Sequence, residues 1–238
     1  MISKDLFISL LNGVMPSRCR GCGEPSDQGL CRACREEVVF LEATCARCGL
    51  PYDREVPICG KCVGRRLYLD SVVALYLYAP PVRDLLHHWK YSRDWRSWEM
   101  IRALLVDGLK RREEGLKALR LDGIVPVPLH WRRQWGREFN QSLFLAREVA
   151  EFLSLPLMDG VVDRVRHTPH QMGLSAVERR RNLRGAFSLR GGVRGKALML
   201  VDDVATTLTT ASEVARILVK GGAREVHLLV LARAVGER

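Results

Sequence analysis

An α/β fold, in which helices cover both faces of a parallel sheet, is what this 238-residue sequence predicts, with a small cysteine-rich head in front of it. Two observations carry that prediction. From residue 67 onward, short continuous apolar runs alternate with amphipathic ones, as buried parallel strands do when helical crossovers join them. Before that point, all eight cysteines of the chain lie between residues 19 and 62 as four Cys-x-x-Cys pairs. The turn around 64–70 is the boundary that composition marks, so the head is 1–66 and the body 67–238, with 67–120 flanking a core of 121–238.

The chain begins "MISKDLFISLLNGVM", which reads as a short amphipathic helix with Leu6, Leu10 and Leu11 on its apolar side. Asp5 intrudes on the apolar run, Asn12 and Gly13 break it, and no small-x-small cleavage site follows, so a secretory leader is not expected. No window reaches the roughly 18 apolar residues of a membrane helix. The expected location is the cytoplasm.

In the head, the pairs are Cys19/Cys22, Cys31/Cys34, Cys45/Cys48 and Cys59/Cys62. Two thiolates separated by two residues on a tight turn can face one cation, and two such knuckles complete a sulfur tetrahedron around Zn2+. A disulfide framework does not suit a reducing compartment, and a redox motif needs one pair, not four. Two structural zinc sites of four cysteines follow, closed to substrate and supplying folding energy to a segment too small to hold a core alone. The gaps of 8, 10 and 10 residues between successive pairs admit sequential or crossed pairing, with sequential pairing expected.

In the body, "SVVALYLYA" (71–79) reads as a strand and "PPVRDLLHHWKY" as a helix opened by its prolines. "EMIRALLVDGLKRREEGL" (99–116) reads as one longer amphipathic helix, and "LDGIVPVPLH" as a buried strand ending at Pro126 and Pro128. "QSLFLAREVAEFLSL" is a helix with Leu143, Ala146, Val149, Ala150 and Leu153 along one side. "GAFSLR" and "KALMLVDD" read as strands, "TASEVARILVKGG" as a helix stopped by Gly221 and Gly222, and "EVHLLVLAR" as a last strand.

Formal charge is +11, which favours anionic partners. Residues 164–196 alone hold nine Lys/Arg against Glu178. The head contributes little, because its formal +2 falls to about −2 once eight thiolates and two Zn2+ are counted. The basic surplus therefore belongs to the body.

In open parallel sheets, ligands sit beyond the carboxyl ends of the strands, where a loop leads into the next helix. "LMLVDDVATTLTT" (198–210) occupies such a place. Its apolar residues form the strand, Asp202 and Asp203 lie at its carboxyl end, and threonines lead to a helix beginning near Thr210. Hydroxyls and free amides at a helix N-terminus suit a phosphate, while the carboxylates suit ribose hydroxyls and a Mg2+ bridge.

This stretch resembles the 5-phosphoribosyl-1-pyrophosphate (PRPP) loop of type I phosphoribosyltransferases. More of the chain is similar to the ComF family of competence-associated, phosphoribosyltransferase-like proteins. The similarity includes the Cys-x-x-Cys head, "RDLLHHWKY" (83–91), "VPVPLH" (125–130), "FNQ" (139–141) and "TPHQMGLSAVERRRNLRGAF" (168–187). The resemblance implies a type I phosphoribosyltransferase-like sheet behind a double zinc ribbon. It implies that Asp202 and Asp203 contact the ribose hydroxyls and that Thr206, Thr207 and Thr210 hold the 5-phosphate, with Mg2+ accompanying PRPP. The loop after "VPVP" would lie near pyrophosphate, and Lys90, Arg132, Arg133 and Arg137 are the cations suited to it. It further implies a role in DNA uptake and natural transformation, contact with other DNA-uptake proteins, and no settled acceptor for transferase chemistry.

Three residues depart from the family pattern. Leu208 stands where the loop usually has glycine or another small residue, Glu138 replaces the glycine of "RGFNQ", and Trp131 a proline. Leu208 is expected to weaken PRPP binding without abolishing it, because the aspartates and threonines around it are intact.

A second reading is a non-enzymatic single-stranded DNA-binding module on the same scaffold. All five tryptophans fall between 89 and 135, interleaved with basic residues. Bases stack on such rings while cations follow the backbone. Trp131 and Trp135 with Arg179, Arg180, Arg181 and Arg184 are the candidates, whereas the helical spacing of Trp95 and Trp98 points to the core.

Overall fold

The computed structural model describes residues 18–26, 29–92, 95–128, 140–165 and 185–236. The helix expected at the amino terminus lies outside them. Two compact units are present, one of residues 1–39 with 79–104 and one of 40–78 with 105–238. Their boundary runs through the cysteine-rich head, between its second and third pairs, where composition alone marks residue 66.

In the first unit, Cys31 stands at the N-cap of a short helix α1 (Arg32–Glu36), which carries Cys34 on its buried side. Helix α2 (Val82–Ser92) buries Val82, Leu85, Leu86 and Trp89, the i, i+3, i+4, i+7 stripe of an amphipathic helix. Helix α3 (Trp95–Arg111) begins in this unit, and its Trp98 stacks on Trp89 with ring centroids 4.9 Å apart. Trp95, expected in the core, is instead 59% exposed. It is the first residue of its helix, so no preceding turn of α3 exists for its ring to lie over.

The second unit contains strand β1 (Ser71–Leu77), helix α4 (Glu113–Ala118), strand β2 (Gly123–Pro126) and helix α5 (Gln141–Leu153). There follow β3 (Val162–Arg164), β4 (Phe187–Leu189), β5 (Ala197–Ala205), helix α6 (Thr209–Lys220) and β6 (Glu225–Arg233). Four of these strands form a sheet of order β1-β6-β5-β2, every pair parallel, while β3 and β4 pair antiparallel. The sheet's buried residues explain the continuous apolar runs: from Val226 to Arg233 no residue of β6 is more than 5% exposed.

Two elements differ from the sequence pattern. The helix expected over 99–116 is interrupted at Arg112, whose guanidinium donates to the carbonyls of Leu41 and Glu42 and pairs with Glu55. In α5 the buried side is Gln141, Ser142, Leu145, Ala146, Val149 and Ala150, with Leu143 and Leu153 only half-buried at its edge. Helix α5 starts where it does because Asn140 caps it: its Oδ1 accepts from Ser142 N at 3.1 Å, and its Nδ2 donates to Val127 O at 3.4 Å. The start of α5 is thereby tied to the chain just past β2.

Candidate functional site

The cysteines assemble sequentially, Cys19 with Cys22, Cys31 and Cys34, and Cys45 with Cys48, Cys59 and Cys62. Within each group the sulfur atoms lie within 4.8 Å of one another. Cys22–Cys31, Cys48–Cys59 and Cys59–Cys62 are each 3.7 Å apart. A tetrahedron with Zn–S bonds near 2.3 Å has S···S edges of about 3.8 Å, so both groups fit four-cysteine zinc. Burial opposes ionisation of Cys19, yet amide donation from Cys22, Cys31 and Gly21 prevails and brings its thiol down to about 6. At Cys59, burial is likewise outweighed by hydrogen bonding, from the Tyr52 hydroxyl first, and its thiol too falls to about 6. Cys34 and Cys48 move the other way, burial opposing their ionisation, so a bound cation is what would hold all four sulfurs of a group as thiolates, and four sulfur ligands leave no open position for chemistry.

The second candidate lies at the carboxyl end of β5. The strand runs through both aspartates to Ala205, three residues form the loop, and α6 begins at Thr209. Its first turn leaves amides without intrahelical acceptors. Adjacent strand residues project to opposite faces, and the two carboxylates have different surroundings accordingly. Asp202 Oδ1 accepts from Ser142 Oγ at 2.7 Å and from Asp203 N at 3.0 Å. Asp203, 9% exposed, accepts from Val204 N at 2.7 Å. A ligand gripped by both carboxylates must therefore lie across the strand's end.

A hollow of about 50 Å3 is lined by Asp202, Thr206, Thr207, Leu208, Thr209 and Thr210, with Leu228 and Val230 behind. That is several times the roughly 10–15 Å3 one water requires. The structure thus brings Asp202, Thr206, Thr207 and Thr210 around one space, while Asp203 is not among its lining residues. Leu208 has φ 60° and ψ 7°, the left-handed conformation that glycine adopts freely, and its side chain is 4% exposed within the core. The loop keeps a glycine-like backbone at this position, with leucine anchored inward.

Two arginines brace the loop from behind. Arg233, at the end of β6 and 2% exposed, donates through Nη1 to Ala205 O at 2.9 Å and to Thr206 O and Ala234 O at 2.7 Å each. Through Nε it donates to Cys48 O, in the second zinc group, at 2.8 Å. Burial pulls its pKa below the usual arginine value, and the nearby Cys48 sulfur opposes that. Arg65 donates to Thr207 O. Neither arginine, nor Ser142, is singled out by the sequence. The available signal is an arginine closing the apolar run 228–232 of "EVHLLVLAR".

A wider cavity of about 430 Å3 opens past β2, lined by Pro126, Pro128 and Asn140 together with Asp163, Arg164 and Arg190. From the basic stretch, Arg164 is buried over the Phe187 ring and Arg190 pairs with Asp163 at 2.9 Å. Lys90 sits in the last turn of α2, in the first unit. Arg132, Arg133, Arg137, Trp131 and Trp135 lie outside the described residues, as do Arg179, Arg180, Arg181, Arg184 and Glu138. Among the described residues, no helix is long and apolar enough to cross a membrane.

A family model of the double zinc ribbon domain matches residues 10–63. The chain is 34% identical over 223 residues to competence protein F of Haemophilus influenzae, covering 91% of this chain and 95% of that one. It is 36% identical over 226 residues to the DNA utilization protein YhgH of Escherichia coli, covering 93% and 99%. Among solved structures, purine phosphoribosyltransferase from Pyrococcus horikoshii aligns with 58% of this chain and 73% of its own, at 20% identity and a TM-score of 0.36.

Proposed function

We propose, because this chain belongs to the competence protein F (ComF) family, that it serves DNA uptake or utilization and binds PRPP at the acid-threonine loop after β5. The observation that carries the reading is the assembly of Asp202, Thr206, Thr207 and Thr210 around one hollow at a strand-to-helix turn. The threonine hydroxyls and the first amides of α6 receive the 5-phosphate, and the carboxylates face the ribose hydroxyls. The Asp202 and Asp203 carboxylates are the hard oxygen donors that would hold a Mg2+ accompanying PRPP, and that ion would supply positive charge to the pyrophosphate. Ser142 fixes the Asp202 carboxylate by donating to it, and the arginines behind the loop hold its carbonyls away from the phosphate.

In transfer, the bond from C1′ to pyrophosphate breaks as a nucleophile bonds to C1′, and the electron pair leaves with pyrophosphate. Basic groups placed against that leaving charge lower the barrier. The cavity past β2, with Asn140 and Arg164 on its walls, is where the acceptor would enter. Calorimetry with Mg-PRPP tests the binding reading: the wild type binds and Asp202→Asn binds at least about tenfold more weakly, a loss of 1.4 kcal/mol. Equal affinities would remove the site. Release of pyrophosphate, with and without single-stranded DNA, tests turnover.

The relatives' names favour keeping the DNA-binding reading beside it. A logarithm of oligonucleotide affinity that falls linearly with the logarithm of salt concentration supports a phosphate-tracking surface. Affinity indifferent to salt removes it.

A further inference from the structure

We infer that the second unit carries another anion site, behind the acid-threonine loop, which takes a nucleoside 5′-phosphate. A cavity of about 810 Å3 opens there between the second zinc knuckles, α6 and the end of β6. Its walls carry Lys61, Arg65, Arg66, Arg216, Lys220 and Arg233 against a single carboxylate, Glu213. That is a formal +5 around one space, six cations less one acid. The four-thiolate zinc centre beside it, at −2, still leaves about +3.

The positive charge is graded with depth. Lys61, Arg66 and Lys220 are exposed at the surface, Arg65 and Arg216 are half-buried, and Arg233 is buried. Glu213 neutralises Arg216 alone, through bonds of 2.9 and 2.6 Å. Like charges gathered around a partly dehydrated space repel one another, and an anion bound there relieves that repulsion.

Size and chemistry narrow the ligand. The volume falls in the range of pockets for drug-sized molecules, so a lone phosphate leaves most of it empty. Leu50, Leu67 and the Tyr68 ring, which the exposed Arg66 guanidinium covers at 5.1 Å and a planar base would displace, give apolar wall, and Ser212 Oγ, which accepts from Tyr68 N at 3.2 Å, keeps its hydrogen for a sugar oxygen. Thr206, Thr207 and Thr209 line both this cavity and the hollow at Asp202, so the loop is a wall common to two spaces. The inference does not depend on PRPP binding.

The test uses the full, zinc-loaded chain and AMP as the probe, with inorganic phosphate for comparison. The expected result is calorimetric binding of AMP, tighter than that of phosphate, and weakened at least about tenfold by the double substitution Lys61→Ala/Lys220→Ala. Both lysines are exposed, and unchanged zinc content and circular dichroism show that the variant remains folded. AMP also carries a ribose 5-phosphate that the front hollow could take, so the titration is repeated with excess Mg-PRPP: the AMP binding that persists is the one the lysine variant weakens. The inference is overturned by no AMP binding in the wild type, by binding no tighter than phosphate, by AMP affinity untouched in the lysine variant, or by loss of all AMP binding in excess Mg-PRPP. Capture of oligonucleotide without AMP also overturns it.

Discussion

At Leu208 two costs oppose each other. A non-glycine residue in the left-handed region is strained by about 1–2 kcal/mol, while a buried leucine contributes roughly 1.5–3 kcal/mol. Burial is the larger, which is why the residue can sit there. Leu208→Ala loses the burial and keeps the strain, so it should destabilise by about 2–5 kcal/mol in urea unfolding. Leu208→Gly loses the burial but releases the strain, and should come out about 1 kcal/mol more stable than the alanine variant. Glycine no better than alanine would mean that the backbone is not held left-handed. Ser142 allows a second single-residue test. Its hydroxyl is 2.7 Å from Asp202 Oδ1, and Ser142→Ala should weaken Mg-PRPP several-fold, about 1 kcal/mol, with stability nearly unchanged. The aspartates and threonines were legible in the sequence because they are adjacent in it. Ser142 and Arg233 were not, since their partners lie 60 and 185 residues away and only the folded sheet brings them together.

Between elements, close approach decides what a helix can carry. Gly108 interrupts the apolar repeat of α3 and would ordinarily cost about 1 kcal/mol relative to alanine. Its place is explained by β1: a Cβ there would lie 2.9 Å from Leu75 Cδ1 and 3.2 Å from Leu75 Cβ. Leu75 is fully buried and has nowhere to swing. Overpacking of this kind costs about 1–3 kcal/mol, so Gly108→Ala should be destabilising by up to about 2 kcal/mol despite the better helix former. A rise in thermal midpoint would contradict the contact. Strands and helices were readable in order because each run is long and strongly patterned, the last strand to the residue. The three-residue β3 was not, since three residues show no period, and the break in α3 depends on carbonyls that Arg112 reaches from 70 residues away. Helical spacing also misplaced Trp95, because periodicity says which face a residue shares and not where the helix begins.

For the whole chain, the division into compact units changes what zinc is expected to do. The first cysteine group belongs to the unit of residues 1–39 and 79–104, and the second to the unit that contains the sheet. Structural zinc supplies folding free energy of about 10–16 kcal/mol in isolated zinc-finger peptides, and that energy is felt by whatever packs on the site. Around the second group, Arg233 spans from Cys48 O to the carbonyls of Ala205 and Thr206, and Gly49, at φ +67°, lies so near β1 that a Cβ there would be 2.9 Å from Val72 Cγ1 and 3.1 Å from Ala74 Cβ. Losing zinc there should loosen β6, β1 and the loop together. Cys59→Ser is therefore expected to lower amide-exchange protection across β5, β6 and the loop, and to weaken Mg-PRPP binding. Cys22→Ser, at the exposed edge of the first group, should release its own metal and leave that protection in place. The measurement is hydrogen exchange by mass spectrometry on both variants, with zinc content determined in parallel. If Cys59→Ser loses one zinc and the loop and β6 exchange as in the wild type, Arg233 does not transmit the state of the metal to the site.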